Sequence, residues 1–333
     1  MQSFDLLLEA PRALVARSEA LDVSVEAVVC IPTFRRPDHL RKTLESLHAQ
    51  RTQRRFAAVI VENDPDTGEG ALVAAQFLRE GGLQGLCVVE PRQGNCHAIN
   101  AVFDAALAAF PATSYFLMID DDEIASEDWL DLMTRTAEVS GADVIGGPVW
   151  PVFNDAMKQE LERHPAFRPA YDASGPVPII YGSGNCLISR SVFERLGLPA
   201  FDLRFNFLGG GDVDFFTRCR RDGMKFHWVA EAVISETVPD SRTDLRWLAQ
   251  RGLRIGAINY HIQRKVARTL LSRARLLAKV LALMPLSLWR AARLAVTEHR
   301  ALIALHPMIV AAGGALAVIG IEPRQYKASK IAS

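Results

Sequence analysis

Four consecutive acidic residues, Asp120 to Glu123, carry the strongest chemical signal in this sequence. They directly follow the apolar run 115–119, which predicts a buried strand. Carboxylates crowded at the end of a strand repel one another, and a divalent cation that prefers oxygen ligands, such as Mg²⁺, Mn²⁺ or Ca²⁺, removes that repulsion. The run therefore predicts a metal site, and the alternative is a solvated acidic turn before a helix.

The end of the first predicted strand carries groups that suit a phosphate. Pro32 ends that strand, and residues 32–36 read Pro-Thr-Phe-Arg-Arg. We expect Thr33 and Arg35 to face the same crevice as Asp120, where a guanidinium group can bind a phosphate. An ordinary loop is the alternative interpretation of this segment.

The second predicted strand ends in Glu62-Asn63-Asp64. Dinucleotide-binding folds place an acidic residue that binds ribose at this position. No G-x-G-x-x-G follows the first strand, and no G-x-x-x-x-G-K-[ST] occurs anywhere in the sequence. Rossmann dehydrogenases and P-loop NTPases are therefore poor fits.

Two glycine turns precede predicted helices. Gly94 permits a tight turn before an Ala-rich helix, in which Asn100 is a candidate ligand contact. The run 209–211, three glycines, precedes Asp212, which begins a helix where the helix dipole keeps a carboxylate ionised. Asp212 is either a plain N-cap or, beside a metal site, the general base of a reaction.

Strands must alternate with helices to bring these groups together. The predicted strands are 26–31, 56–61, 85–89 and 115–119, and the predicted helices between them are 38–49, 70–79 and 95–110. This alternation predicts right-handed βαβ units and a mostly parallel sheet. Beyond residue 129 the alternation loosens. Further strands are predicted at 143–150, 179–188, 225–230 and 232–236, and helices at 154–172 (with a loop), 212–222 and from 245 onwards.

The zero net charge of the 333-residue chain is the sum of two unlike parts. Residues 261–333 contain twelve Lys or Arg and two Glu, a net charge of +10, so the remainder carries −10. Such asymmetry predicts a basic appendage that meets an anionic surface.

The five cysteines form no C-x-x-C pair, which favours buried thiols in a reducing, cytosolic compartment, and the N-terminus lacks the pattern of a secretory signal.

The basic appendage also predicts contact with a membrane. If residues 264–279 form one helix, Arg264, Arg268, Arg275 and Lys279 share one face, as in helices that bind membrane surfaces. The alternative is a helix packed on the catalytic domain with a solvated basic face. The apolar stretch 301–321 is long enough to span a bilayer, but its proline and two glycines favour an interfacial or re-entrant segment.

Taken in order, the motifs resemble those of the family 2 glycosyltransferases with the GT-A fold, over roughly Val25 to Tyr260. They are residues 32–36, 62–64, Gly94 with Asn100, 120–123, 182–190 and 210–215. The segment 238–256 is similar to the bacterial exopolysaccharide branch, the succinoglycan-type glucosyltransferases. The resemblance implies an α/β fold with a Rossmann-like, mostly parallel central sheet flanked by helices, and a C-terminal basic and apolar helical appendage.

The resemblance divides the chain into three parts. Residues 1–24 are an N-terminal leader segment, 25–260 are the GT-A catalytic domain, and 261–333 are a tail that associates with a membrane. The implied location is the cytoplasmic face of the inner membrane, with the tail peripheral or weakly inserted.

The resemblance also implies roles for individual residues in binding a nucleotide-diphosphate-sugar donor. The donor-binding residues are Pro32, Thr33, Arg35, Glu62, Asp64, Gly94, Asn100, Asp120 and Asp121. Asp120 and Asp122 hold Mn²⁺ or Mg²⁺, Asp122 more directly, with Asp121 mainly a spacer between them. Asp212 is the catalytic base of an inverting transfer, and Gly210, Gly211 and Asp214 lie on the acceptor side.

One departure from the family pattern bears on activity. The family usually has Glu-Asp where this chain has Gly211-Asp212. The expected acceptor is a glycan or a polyprenyl-linked oligosaccharide, the expected surface is an anionic membrane, and nucleic acid is not an expected partner. The alternatives are a nucleotidyltransferase acting on sugar phosphates and a membrane-associated scaffold with a weakened site.

Overall fold

The structure is a computed structural model that describes residues 12–298 and 301–321. These residues form two compact units. The sheet unit comprises the described residues up to 150 together with 169–206 and 211–236, and the helical unit comprises 151–168, 207–210 and the described residues from 237 onwards.

The sheet unit contains a nine-stranded sheet among its described residues. The strands of the chain, labelled in order, are β1 Ala13–Arg17, β2 Ala27–Thr33, β3 Phe56–Glu62, β4 Gly85–Val89, β5 Tyr115–Met118, β6 Glu123–Ala125, β7 Val144–Gly146, β8 Val149–Phe153, β9 Gly175–Val177, β10 Cys186–Ser189, β11 Phe226–Trp228 and β12 Ile234–Val238. The order across the large sheet is β1-β4-β3-β2-β5-β10-β7-β11-β9. Its centre, β4-β3-β2-β5, is parallel, which confirms the predicted sheet.

Helices of the sheet unit cover the sheet. They are α1 Pro37–His48, α2 Glu69–Arg79, α3 Asn95–Ala109, α4 Trp129–Ser140, α5 Arg190–Leu196 and α6 Gly211–Arg221. Alternate residues of β2, such as Val29 and Ile31, join Leu44 of α1 and Trp129 of α4 in one buried cluster. Because successive strand residues point to opposite faces, α1, α2 and α4 cover one face of the sheet.

β2 continues through Pro32 to Thr33, so the prediction that Pro32 ends the strand is wrong. The carbonyl oxygen of Cys30 accepts a hydrogen bond from the Ile119 N–H, on the β5 side. The carbonyl oxygen of Thr33 accepts one from the Asn63 N–H, on the β3 side. Because the backbone groups of successive strand residues point to opposite sides, the N–H that Pro32 lacks would point toward β5. The pairing of β2 with β5 has already ended there, at Met118. A proline costs no ladder hydrogen bond there.

Strand β1 lies within the predicted leader 1–24 and pairs antiparallel with β4 at the edge of the sheet. The predicted strand 143–150 is two strands, β7 and β8, separated by Gly147-Pro148. A Cβ at Gly147 would lie 2.6 Å from the carbonyl oxygen of Ala232, so the chain approaches another backbone closely at this break. The predicted strand 179–188 is a strand only from Cys186, where β10, Cys186–Ser189, begins. The helix predicted within 154–172 is a 3₁₀ helix, Ala156–Arg163.

The helical unit contains α7 Leu245–Val266, α8 Leu270–Glu298 and α9 Ala301–Val318. Helices α7 and α9 approach backbone to backbone through glycines. A Cβ at Gly256 would overlap the carbonyl oxygen of Val310, and a Cβ at Gly313 would overlap that of Leu253. Small residues four apart on a helix permit this close contact, and Gly252 and Gly256 provide it on α7.

The chain breaks between α7 and α8, so the predicted single basic stripe is wrong. Thr269 and Ser272 each accept a hydrogen bond from the other's backbone N–H, a reciprocal N-cap that begins α8. Arg264 therefore lies on α7, while Lys279 lies on α8. Leu270–Thr297 is long and apolar enough to cross a membrane by length and composition, and 17% of an 18-residue window within it is buried.

Candidate active site

The acidic cluster lies in the turn between β5 and β6, at the carboxyl end of β5. The buried hydroxyl of Thr43, on α1, donates to the carbonyl oxygens of Asp121 at 3.0 Å and Glu123 at 2.8 Å. The Glu123 carboxylate accepts from the backbone N–H of Asp120 at 2.7 Å. These contacts hold the backbone of the cluster, so its carboxylates have set positions.

The carboxylate of Asp121 is an anchor rather than a spacer. It accepts hydrogen bonds from the Thr33 hydroxyl at 2.8 Å, from the Phe34 backbone N–H at 3.1 Å and from Arg36 at 3.1 Å. Asp121 is 5% exposed. Asp121 therefore holds the end of β2 and the loop that follows it, which carry the predicted donor-binding residues Thr33 and Arg35.

Negative charge accumulates at Asp120. Burial raises the pKa of Asp120 to about 8, and the charges of Asp122, Asp121 and Glu236 add to the effect. Arg36 opposes this increase, and its guanidinium forms an ion pair with Asp122 at 2.5 Å. One arginine thus compensates only part of a group of carboxylates at the strand end.

The cluster fits a hard divalent cation that takes most of its ligands from elsewhere. Among residues 12–298 and 301–321, no group of three or more His, Cys, Asp or Glu side chains is arranged to hold a metal ion. Asp120 and Asp122 offer carboxylate oxygens, and the repulsion that raises the pKa of Asp120 is what a cation relieves. Mg²⁺ in particular binds through one or two carboxylates, with phosphates and water as its other ligands.

Glu62 shapes the backbone at the end of β3. It is fully buried and accepts from the backbone N–H groups of Asp64 at 2.8 Å and Ala71 at 3.2 Å. Burial raises its pKa. A Cβ at Gly70 would overlap the carboxylate of Glu62, which is why the start of α2 needs a glycine.

Asp64 binds Arg35, whose backbone φ is 55°. Arg35 Nε donates to the carboxylate at 2.7 Å, and this hydrogen bond lowers the pKa of Asp64. The Thr67 hydroxyl donates to the same carboxylate at 2.9 Å. The predicted phosphate-binding arginine is thus held by the predicted nucleoside-binding aspartate.

Asn206 supports the turn at Gly94, and sequence reasoning missed it. Its amide group occupies the space that a Cβ at Gly94 would need, and φ at Gly94 is 129°. Asn206 Oδ1 accepts from the backbone N–H of Cys96 at 3.0 Å, at the start of α3, and Nδ2 donates to the carbonyl of Gln93 at 3.1 Å. No local pattern signals this role, because 110 residues separate Asn206 from Cys96.

Asn100 holds the chain that leads to Asn206. Its amide donates to the carbonyl of Phe201 at 2.8 Å and accepts from the Phe201 N–H at 2.7 Å. Asn100 is 4% exposed. These bonds make Asn100 a structural clamp between α3 and the segment before α6.

The start of α6 carries the predicted base. Asp212 lies in the first turn and is half-buried, while the buried Asp214 accepts from Arg218 Nε at 3.0 Å. A Cβ at Gly211 would lie 2.8 Å from Phe201 Cδ2 and 2.9 Å from Cys96 Sγ. The position that usually carries Glu in the family is therefore filled by neighbouring side chains in this chain.

Gly210 belongs to the helical unit and has a φ of 85°. A Cβ there would overlap Ile258 of α7. Both the backbone angle and the close contact explain a glycine at this position.

Asp120 and Asp212 lie on the same region of the sheet unit. Burial raises the pKa of the Cys186 thiol well above its usual range, and the charges of Asp212 and Asp120 are the next largest causes. Cys186 begins β10 and pairs with Met118 at the end of β5. Two predicted carboxylates, 92 residues apart in sequence (212 minus 120), thus act on the same thiol at the end of β5.

Comparisons with known proteins agree with this geometry. The sequence model described as "Glycosyl transferase family 2" matches residues 28–197, and "Glycosyl transferase family group 2" matches residues 115–315. The chain is 32% identical over 237 residues to "Succinoglycan biosynthesis protein ExoM" of Rhizobium meliloti (strain 1021), covering 70% of this chain and 72% of ExoM.

Solved structures share the fold. A mannosyltransferase from Pyrobaculum calidifontis, PcManGT, solved with GDP-Man and Mn²⁺, is 16% identical with a TM-score of 0.57, covering 94% of this chain and 92% of its own. S. aureus TarS 1-349 with UDP is 12% identical with a TM-score of 0.51, covering 89% and 92%. Of a longer TarS structure the chain spans 42%. The fold is GT-A, as predicted, and the chain belongs to glycosyltransferase family 2.

Proposed function

We propose that this glycosyltransferase is inverting and metal-dependent, and that it moves a sugar from a nucleotide-diphosphate-sugar to a glycan or lipid-linked acceptor in cell-surface polysaccharide synthesis. The observation that carries the proposal is that the charges of Asp120 and Asp212 both act on Cys186, which pairs with Met118 at the end of β5. The similarity to ExoM, a succinoglycan biosynthesis protein, supports the polysaccharide pathway. The nucleotide ligands of the similar structures support the donor class.

Asp120 and Asp122 are the proposed metal ligands. Bound Mg²⁺ or Mn²⁺ would neutralise the charge that develops on the donor's diphosphate. The protein residues contribute position: Asp121, after β5, holds Thr33, and Asp64, after β3, holds Arg35. Strands β5 and β3 lie on either side of β2. The loops that meet the nucleotide are therefore set before the donor binds.

Asp212 is the proposed general base. It accepts the proton of an acceptor hydroxyl, and that oxygen forms a bond to the anomeric carbon. The bond from the anomeric carbon to the diphosphate breaks, and nucleoside diphosphate leaves with the electron pair. A single displacement of this kind inverts the anomeric configuration. The half-buried position of Asp212 at a helix N-terminus suits a carboxylate that stays ionised until it takes the proton.

Helix α8 is the proposed membrane contact. Several large apolar side chains on it are exposed, among them Leu270, Leu271, Leu281, Trp289 and Val296. It also carries basic residues, which favour an anionic surface. We propose that the enzyme works at the cytoplasmic face of the inner membrane, where lipid-linked acceptors are available.

Two variants separate the proposed roles. Asp212→Asn should keep donor binding and lose transfer by at least about a hundredfold, because a general base contributes that much. Asp122→Ala should lose the metal-dependent part of donor binding. The measurements are calorimetry with nucleoside diphosphates, with and without Mn²⁺, and release of nucleoside diphosphate from a panel of donors.

Asp66→Asn is the matched control, because the Asp66 side chain is 76% exposed and its 3.8 Å contact with Arg35 is too long for a hydrogen bond. It should leave binding and transfer nearly unchanged. Equal loss of binding in the Asp212 and Asp122 variants would contradict the assigned roles. Release of pyrophosphate rather than nucleoside diphosphate would instead identify a nucleotidyltransferase, and absence of nucleotide binding would identify a scaffold.

A further inference from the structure

A cavity of about 310 Å³ lies within the helical unit, between α7, α8 and α9. Each helix lines it with residues spaced three or four apart, which is one face of a helix. On α8 the lining residues are Leu276, Lys279, Val280, Leu283, Ser287 and Arg290. Its volume is at the lower end of the roughly 300–1,000 Å³ typical of small-molecule sites.

The cavity has two basic ends and an apolar middle. Lys279 and Arg290 lie on nearly the same face of α8, about 16 Å apart along its axis. Between them the lining is aliphatic, with Val280 and Leu283 on α8 and Ala311 on α9. Among the lining residues that the structure describes, none is acidic. An elongated molecule with an apolar body and an anionic end matches this arrangement.

The two ends differ in what their polar groups already bind. At one end, Lys279 Nζ donates to Gln263 Oε1 at 2.6 Å. At the other end, His306 is 9% exposed, and its Nδ1 is buried without a hydrogen-bond partner. A buried polar atom left without a partner costs about 1–3 kcal/mol. A ligand group that reaches Nδ1 of His306 would remove that cost.

Arg290 and Ser287 belong to the same end as His306. Leu276 and Val280, near the start of α8, pack with Val318 at the end of α9, so the two helices run antiparallel. The later part of α8 therefore lies beside the start of α9, which carries His306. Ser287 donates its hydroxyl hydrogen to the carbonyl of Met284 at 2.8 Å, so its oxygen is left as an acceptor.

We propose that this cavity binds one anionic, phosphate-headed lipid, with the head group at Arg290, Ser287 and His306 and the chain along Leu283 and Val280. A phosphate group bears acceptor oxygens for Arg290, and a phosphate monoester, when protonated, also bears a donor for the Ser287 oxygen. Helix α8 also exposes large apolar side chains, among them Leu281 and Trp289, that suit contact with a bilayer. A membrane phospholipid and a polyprenyl phosphate share the anionic phosphate and the apolar chain.

The site rests on the helical unit alone and goes beyond the transfer reaction, so its test measures binding rather than transfer. The probe is a fluorescent short-chain phosphatidic acid, added to the full-length protein below the concentration at which it forms micelles. Arg290→Gln should weaken binding at least about tenfold, which corresponds to about 1.4 kcal/mol. Lys279→Gln is the matched control, because it removes the same charge at the other end of the same cavity, and it should retain affinity.

Competition identifies the source of the lipid. Phosphatidylglycerol and polyprenyl monophosphate should displace the probe, and whichever does so at the lower concentration is the natural class. Inorganic phosphate alone should not displace it, because it lacks a chain for the apolar middle. Ala311→Phe, which fills that middle, should abolish binding while circular dichroism shows an intact fold.

Three outcomes would overturn the proposal. Equal losses for Arg290→Gln and Lys279→Gln would indicate an unspecific basic surface. If inorganic phosphate displaced the probe as effectively as a lipid, the apolar middle of the cavity would not contribute to binding. Wild-type affinity in a folded Ala311→Phe protein would mean the same, and if that variant fails to fold, the two α8 variants decide the matter.

Discussion

The hydroxyl of Thr33 donates a 2.8 Å hydrogen bond to the carboxylate of Asp121, across 88 residues of sequence. Both side chains are buried, and the bond joins the end of β2 to the turn after β5. The same carboxylate accepts from the Phe34 N–H and from Arg36. The position of the loop after β2 therefore depends on Asp121, the second residue of the acidic cluster.

Asp121→Asn should lower the free energy of unfolding by about 1.5–3 kcal/mol, because hydrogen bonds to a charged group are lost or weakened. Donor affinity should fall with it, since Thr33 and the loop that follows it lose their anchor. Urea unfolding and nucleotide calorimetry measure the two effects. In a double-mutant cycle with Thr33→Val, the two losses should not add, and additive losses would contradict a direct interaction.

Gly211→Glu restores the residue common in the family and should impair this protein. The side chain would meet Phe201 and Cys96 from its Cβ onwards, and overpacking of this kind costs about 1–3 kcal/mol. We expect lower thermal stability and no gain in transfer. Cys96→Ala in the same protein should recover part of the stability, and a stable, more active Gly211→Glu protein would show that the site has room for Glu.

Gly256→Ala and Gly313→Ala should each destabilise the α7–α9 contact by about 1–3 kcal/mol, because the added methyl group overlaps backbone atoms of the other helix. Gly314→Ala is the matched control on the same interface. Its Cβ would lie 3.5 Å from the Gly256 carbonyl oxygen, an ordinary contact. Thermal unfolding followed by circular dichroism should separate the first two variants from the third, and three equal results would argue against the close approach.

Glu90 should make stability fall in mild acid. Burial alone would raise the pKa of this carboxyl, but hydrogen bonds from Arg92 and Arg12 outweigh burial and lower it from 4.5 to about 2. A carboxyl whose pKa is lower in the folded state stabilises the fold at pH values above its pKa in the unfolded chain. This contribution, up to about 3 kcal/mol, is lost as the pH falls from about 4.5 toward 2.

The Glu90→Gln variant isolates this contribution from the other carboxylates. Between about pH 5 and pH 3, its free energy of unfolding should fall by about 2 kcal/mol less than that of the wild type. Denaturant titrations at the two pH values measure the difference. Parallel pH profiles for the two proteins would mean that Glu90 does not have the lowered pKa.

Local patterns predicted the parallel core of the sheet closely. Gly85–Val89 is a strand with the predicted limits, because a short apolar run that begins with a glycine can be recognised from adjacent residues alone. The interruptions were harder. The break between β7 and β8 depends on the close approach of Gly147 to Ala232. The break between α7 and α8 depends on the Thr269–Ser272 cap, and a prediction based on the spacing of basic residues across 264–279 overlooks that cap.

The sequence by itself determined the family, the alternating architecture and the candidate carboxylates, because strand periodicity and strand-end motifs are properties of adjacent residues. Only the tertiary structure decided what those groups bind. Asp121 became an anchor for Thr33, Asn100 a clamp on Phe201, and Asn206 the support of Gly94 through contacts between residues about 90 to 110 positions apart. Such contacts depend on the distance between chain segments after folding, and no pattern of neighbouring residues records that distance.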